Sequence, residues 1–281
     1  MSDTSSLTIL ITGVSSGLGR AFATAALAAG HRVIGTVRRP QDAESFKALA
    51  PERAHAVELD VTAFDTIPRT ITHLQHTLGP IDALVNNAGY GHEGALEESS
   101  LDDLRRQFDA NVFGAVAMMQ AVLPGMREQR RGRIINVTSM GGFITMPGLS
   151  FYCGSKFALE GISEALGKEV APFNIHITAL APGQFRTDWA GRSMDRSPRS
   201  IPDYDTVMTP LRAARQAKSG NQPGDPARAA QALLQLLAAD NPPTRLFLGE
   251  DALDLVTAKL NAMQDDITRW NDLSRSTGFP T

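Results

Sequence analysis

The chain has a single cysteine, Cys153, in 281 residues. One thiol excludes an internal disulfide framework and any cysteine-rich metal site, and it fits a reducing, cytoplasmic compartment. Positive charge is not in excess either. Lys and Arg number 27 against 30 Asp and Glu, a formal net charge of −3, so the balance points neither to nucleic acid nor to an anionic membrane. No apolar run approaches the ~20 residues of a membrane-spanning helix. The opening "MSDTSS" is short and polar, without the charged and apolar regions of a signal peptide. The histidines show no ligand-like spacing. His73 and His76 share a helix face, but no further ligands accompany them, so no metal is expected. What remains is an ordinary soluble composition, 42% hydrophobic and 20% charged, long enough for one large α/β domain or two small ones.

Short β-rich apolar runs alternate with longer helical patterns. The runs are residues 7–12, 31–37, 54–61, 81–89, 132–139, 175–183 and 245–249. Several show little period-2 alternation, as strands buried on both faces should. Helical stretches lie between them, among them 19–29, 101–127, 152–170 and 226–239. This alternation predicts a parallel sheet with helices on both faces, in one domain over 1–281. Two parts fall outside it. Residues 184–225 read as a long irregular segment covering a substrate. Residues 251–273 read as helical, with Leu253, Val256, Leu260, Met263, Ile267 and Trp270 on a stripe expected to pack against the body.

The first strand runs into "TGVSSGLG", which opens a helix. Glycines there let the chain turn tightly and let backbone N–H groups reach a pyrophosphate at the helix N-terminus. The candidates are Gly13, Ser15, Ser16, Gly17, Leu18 and Gly19. The second strand ends "GTVRRP", with Arg38 and Arg39 where an NAD site would carry an acidic residue for the ribose 2′-hydroxyl. A guanidinium pairs with a 2′-phosphate in a bidentate fork, which a carboxylate would repel. The expected cofactor is therefore NADP(H) rather than NAD(H), with Arg38 the first choice.

"TGVSSGLG", "DV" at Asp60–Val61, "NNAG" at 86–89, "NVFG" at 111–114, "INVTSMGG" at 135–142, "YCGSK" at 152–156 and "APG" at 181–183 follow one another. In order and approximate spacing this resembles the short-chain dehydrogenase/reductase superfamily over roughly residues 7–190, with "RLFLG" like its last strand. "YCGSKFALEG" looks most like the hydroxysteroid and retinol dehydrogenase branch. The resemblance implies a Rossmann-type, doubly wound, seven-stranded parallel sheet and a nicotinamide cofactor. It implies a catalytic set of Asn111, Ser139, Tyr152 and Lys156. It also implies Asp60 and Val61 beside the adenine, and Asn87, Ala88 and Gly89 with their backbone near the ribose. Pro182 and Gly183 should flank the nicotinamide, and Thr187 should bond its carboxamide. Thr138 stands where many members have serine, which leaves Ser139 as the hydroxyl that matters.

The chemistry explains the residue types. Hydride moves between the nicotinamide and a carbonyl carbon, and the protein supplies position and a proton. A tyrosine, with a reference pKa of about 10, is poorly tuned for this near neutrality. A cation one helical turn away should favour its phenolate, so Lys156 is expected to lower the pKa of Tyr152. Ser139 should hold the substrate oxygen. By resemblance, Lys156 also holds the ribose hydroxyls, and Asn111 anchors a water leading from Lys156 to solvent. Cys153 points about 100° away from Tyr152 around the helix and reads as packing.

Alone, a Tyr–Lys pair at this spacing is a common surface contact; four such residues in order behind a nucleotide turn make a catalytic set. A silent NADP(H)-binding sensor on the same fold is the rival reading, and sensors of that kind typically lose the tyrosine or the lysine. An epimerase or dehydratase is disfavoured by chain length and the form of the glycine turn. Phe185, Trp189, Met194 and Met208, with Phe143, Met146 and Leu149, suggest an apolar pocket for a hydrophobic ketone or secondary alcohol. The family usually pairs through helices at 101–127 and 152–170, which makes a homodimer or homotetramer the expected assembly.

Overall fold

All seven apolar runs become strands of one sheet. The structure is a computed structural model that describes residues 6–279. Most of the opening "MSDTSS" and the last two residues of the 1–281 span lie outside the described residues. In chain order the elements are β1 (Thr8–Ile11), α1 (Gly17–Ala28), β2 (Arg32–Val37), α2 (Pro40–Lys47), β3 (Ala54–Glu58), α3 (Ile67–Leu78), β4 (Ala83–Asn86), β5 (Gly91–Glu93), α4 (Leu101–Phe108) and α5 (Gly114–Gln129). They continue with β6 (Gly132–Val137), α6 (Ser150–Val170), β7 (Ile175–Pro182), β8 (Met194–Arg196), α7 (Asp205–Lys218), α8 (Pro226–Ala238), β9 (Arg245–Leu248), α9 (Glu250–Arg269) and α10 (Asn271–Arg275).

The main sheet is parallel, in the order β3-β2-β1-β4-β6-β7-β9. Every residue of β1 and β4 is buried, which is why those strands lack alternation. On one face Ile9, Ile11, Val33 and Val85 meet Phe22 of α1 and Leu233 of α8. On the other, Leu10, Ile34 and Leu84 meet Ile71 of α3, Met118 of α5 and Leu159 of α6. The order reverses between β1 and β4, so a crevice opens at the carboxyl ends of the central strands, where sheets of this kind take ligands.

Local chemistry sets several ends. Ser100 caps α4 in a reciprocal box: its Oγ accepts from Asp103 N at 3.1 Å, and Asp103 Oδ2 accepts from Ser100 N at 3.0 Å. Asp225 Oδ1 accepts from Ala227 N at 2.8 Å, with Pro226 opening α8.

Three expectations need correction. The helix read over 101–127 is broken by a π-helical turn at Asp109–Phe113. There Asn111 turns inward to bond the Tyr90 backbone, and wide turns of this kind recur at functional sites. Residues 184–225 are not irregular. They hold β8, which pairs in parallel with β5 as a separate two-stranded sheet, and α7. Fully buried Glu93 fixes this segment, accepting from Arg196 Nε at 2.8 Å and Arg215 Nη1 at 2.7 Å. The C-terminal stripe does not pack on the body. Only its root does, with Ala252 and Val256 buried against Met140 and Ile144; Leu253, Leu260, Met263, Ile267 and Trp270 are exposed.

Candidate active site

The glycine turn is built to leave backbone donors free. Gly13 and Gly17 take φ of 74° and 60°, a left-handed region that suits glycine. A Cβ on Gly19 would collide with the Gly13 carbonyl oxygen and the Asn87 amide. Ser16 precedes α1 in extended backbone and makes no side-chain cap, and the first turn of α1 carries no acidic residue. The first N–H groups of α1 are thus uncapped by side chains and favour an anion. Ser15 is exposed, Ser16 half-buried, and Leu18 packs against the core, so only its backbone can serve. Thr187 closes over the turn: a Cβ on Gly17 would lie 3.7 Å from Thr187 Cβ.

The "NNAG" residues brace this turn. Asn87 Nδ2 donates to the carbonyls of Thr12 at 2.9 Å and Gly13 at 3.1 Å, and Thr12 Oγ1 accepts from Asn87 N and Ala88 N, both at 2.9 Å. Gly89 leaves room beside Asn111 and Lys156; a Cβ there would sit 2.7 Å from Asn111 Oδ1. At the far end, a cleft of about 300 Å³ is lined by Arg38, Asp60 and Arg69, with Glu58 and Thr70. Arg38 has no hydrogen bond or ion pair among the described residues, whereas Arg39 is held by Asp42 through two contacts of 2.8 and 3.0 Å. Arg38 is therefore the arginine free to meet a phosphate. Asp60 accepts from Thr62 N at 2.9 Å. Val61 is packed in the core beside Gly114 rather than in the cleft.

The four catalytic candidates converge from three elements. Ser139 follows β6, and its Oγ accepts from Gly141 N at 3.0 Å. Tyr152 and Lys156 share one face of α6, both buried. Ser139 lies beside Tyr152: a Cβ on Gly141 would sit 3.3 Å from both Ser139 Oγ and the Tyr152 ring. Lys156 Nζ donates to Val137 O at 2.9 Å and lies 5.8 Å from the Tyr152 ring centre. Asn111 Nδ2 donates to Tyr90 O and Ser155 Oγ, both at 3.0 Å, while its Oδ1 accepts from Tyr90 N at 3.1 Å. Ser155 Oγ in turn donates to Tyr152 O at 2.7 Å.

The electrostatics correct one expectation. Burial works against the expected lowering: it pushes Tyr152 well above the ordinary tyrosine range, outweighing the influence of Ser139 that brings it down. Burial also pushes Lys156 down to about 8, opposed by the nearby Glu160 carboxylate. Glu160 is itself buried, accepting from Thr138 Oγ1 and Arg245 Nε, both at 2.6 Å.

Ser155, Glu160, Arg69 and Asp251 were not anticipated from the sequence. For Glu160 a signal was present: it continues the Tyr152–Lys156 stripe at the next fourth position. Asp251 gave none, because its partner is distant in the chain. Its Oδ2 accepts from Gln184 N at 2.8 Å, and a Cβ on Gly183 would strike its carboxylate. Gly183 N donates to Leu248 O at 2.8 Å, so the Pro182–Gly183 turn is held between β9 and α9. Of the apolar pocket candidates, Trp189, Met194, Met146 and Leu149 gather at Tyr152, with the Trp189 ring 5.0 Å from the Tyr152 ring. Phe185 instead joins the sheet core, and Phe143 packs on Phe247. Cys153 is buried, with its thiol pushed up by burial, and lines a separate hollow of about 560 Å³ with Pro147 and Phe157.

The profile of the short chain dehydrogenase family matches residues 7–197. The chain belongs to this family. It is accordingly an oxidoreductase acting between a carbonyl and an alcohol with a nicotinamide cofactor. Among its relatives, this short-chain dehydrogenase is 39% identical to "Oxidoreductase BOA17" of Botryotinia fuckeliana, over 94% of this chain and 96% of that one. It is 37% identical to a 3-ketodihydrosphingosine reductase of Bacteroides thetaiotaomicron, over 86% of this chain and 87% of the relative. The crystal structure of a short-chain dehydrogenase from Streptomyces avermitilis matches with a TM-score of 0.91 at 42% identity, over 98% of this chain and 100% of that one. Among the described residues, no helix is long and apolar enough to cross a membrane.

Proposed function

We propose that this chain is one domain that reduces the carbonyl of a hydrophobic ketone with NADP(H), using Tyr152 as proton donor. The observation that supports the reading is Ser139 beside Tyr152 and Lys156, with Gly89 of the segment that braces the glycine turn next to Lys156. The cofactor fits the residues present: the glycine cradle admits a pyrophosphate, and unpaired Arg38 at the edge of its cleft suits a 2′-phosphate. When bound, NADPH supplies hydride from its nicotinamide. Ser139 Oγ holds the substrate oxygen, and Tyr152 gives that oxygen its proton. Lys156, charged below about pH 8, holds the ribose side of the site. Asn111 fixes α6 through Ser155 as well as anchoring the expected water beside Lys156. The wall of Trp189, Met194, Met146 and Leu149 supports an apolar substrate, in line with a Bacteroides relative named for reducing a ketone. Exposed Leu101, Phe113 and Phe157 on α4, the π turn and α6 support the expected pairing of copies there.

The test is consumption of NADPH with a panel of ketones, aldehydes and quinones. Tyr152→Phe should lower kcat by ~10²–10⁴, the span of general acid catalysis, while NADPH binding stays near wild type. Arg38→Ala should lower kcat/KM with NADPH by ~10–100-fold, the worth of a charged hydrogen bond, and barely move it with NADH. No turnover with any carbonyl, beside retained NADPH binding, would leave the sensor as the better reading. A preference for NADH that survives Arg38→Ala would overturn the cofactor assignment.

A further inference from the structure

Past Val256 the C-terminal helix leaves the body. Every residue from Thr257 to Phe279 is exposed except half-buried Asn271. The free part of α9, Thr257–Arg269, is about three and a half turns long. An isolated helix of this length is marginal in water, and most helical stability in proteins comes from packing an apolar face. The apolar residues here are not scattered. Leu253, Leu260, Met263, Ile267, Trp270 and Leu273 are each between 44% and 62% exposed. With Val256, the first five fall at 253, 256, 260, 263, 267 and 270, intervals of three and four in turn, the 3.5-residue repeat of a coiled-coil seam, and Leu273 follows in α10.

Three observations identify what covers the seam. The regular repeat of three and four lets two copies related by a two-fold axis present matching seams to one another. The exposed apolar area of the six side chains is roughly 600 Å² per copy, close to the ~800 Å² per partner of a stable interface. The polar side carries Asp254, Asp265, Asp266 and Asp272 against Lys259, Arg269 and Arg275. A helix lying on an anionic bilayer carries a Lys- and Arg-rich polar face, which this acidic majority does not supply.

We propose that Leu260–Leu273 is a self-association seam, through which the C-terminal helices of two copies of this chain pair. The contact is separate from the faces of α4 and α6 that the family uses. If both were occupied, the assembly would be a tetramer.

The experiment is the light-scattering mass of the full chain over a range of concentration, for wild type and for Leu260→Glu/Ile267→Glu. Both side chains are exposed within a protomer, so the fold is retained, and circular dichroism checks it. A Trp189→Phe background leaves Trp270 as the one tryptophan, so its emission reports cover over the seam. The expected result is a wild-type mass of two or four 30.2 kDa chains, halved by the double substitution, with Trp270 emission moving to the red. An unchanged mass in the double variant overturns the proposal. So does a fully solvated Trp270 emission in wild type at concentrations where assembly is complete. A monomeric wild type that co-sediments with phosphatidylserine vesicles overturns it in favour of lipid.

Discussion

In the proposed mechanism Tyr152 is the proton donor, and burial favours its protonated form near neutral pH. A neutral phenol is ready to donate, so reduction needs no prior ionisation. Oxidation needs the phenolate as base. Reductive kcat should therefore be flat through neutrality and fall above about pH 8, as Lys156 loses its charge. Oxidative kcat should still be rising where the reductive rate has begun to fall. Rates in both directions between pH 6 and 10 check this. Glu160 tunes the same limb: its carboxylate raises the pKa of Lys156 against burial. Glu160→Gln should move the alkaline fall to lower pH while leaving the rate at pH 6 closer to wild type, and Glu160→Asp should restore part of the profile. A uniform loss at every pH would mean that Glu160 only holds Arg245 and Thr138 in place. Stability carries a matching sign. Burial lowers Lys156 to about 8 in the folded chain, below the 10.5 of a solvated lysine. Between these pH values the unfolded chain binds more protons, so this group's contribution to stability rises with pH. The melting temperature of Lys156→Met relative to wild type should accordingly fall as the pH goes from 8 to 10 in the cofactor-free protein.

At the scale of elements, the segment over the site is held by buried charge as well as by the apolar packing of Met194 and Met208. Glu93 meets Arg196 and Arg215, and Arg215 also donates to Pro147 O at 2.5 Å. This ties β8 and α7 to the loop that leads into α6. Glu93→Ala should cost about 2–3 kcal/mol, less than the ~3–5 of a fully buried pair because both arginines keep some water. Limited proteolysis should then cut first between 192 and 218, with the sheet still intact. Equal sensitivity in wild type and variant would show that the ion pairs do not hold the segment. This region also marks where sequence reasoning stopped. The seven long strands were legible because "TILI" or "RIINV" must be buried on both faces wherever they sit. The strands "GHE" and "MDR" have three residues each and no apolar pattern, and they pair across about a hundred residues. Asn111 was legible as a site residue but not as the centre of a π turn, since "RQFDANVFGAV" keeps a helical pattern throughout. Tyr152 and Lys156 could be found from their spacing. The balance of burial against charge that sets their titration depends on how deeply α6 is covered, and only the folded chain supplies that.

At the scale of the whole molecule, the reversal of strand order between β1 and β4 gathers the glycine turn, "NNAG" and Ser139 at one edge of the sheet. Helix α9 then closes the arrangement. Its root packs Ala252 and Val256 on the segment following Ser139, and Asp251 accepts from Gln184 N at 2.8 Å to lock the turn after β7. Its tip, past Val256 and on through α10, is exposed apart from half-buried Asn271. The two ends should therefore separate under truncation. A chain ending at Ala258 retains the root and should keep kcat and the cofactor KM within about twofold, a change under ~0.5 kcal/mol. A chain ending at Gly249 loses Asp251 and the cover over Met140 and Ile144. Its Gly183–Gln184 turn should loosen, raising the cofactor KM by ~10-fold or more, as a misplaced positioning group does. Asp251→Ala in the full chain should reproduce the KM effect while leaving association unchanged. If the chain ending at Ala258 loses activity as fully as the one ending at Gly249, the tip too belongs to the catalytic unit, and root and tip do not divide the work as the burial pattern indicates.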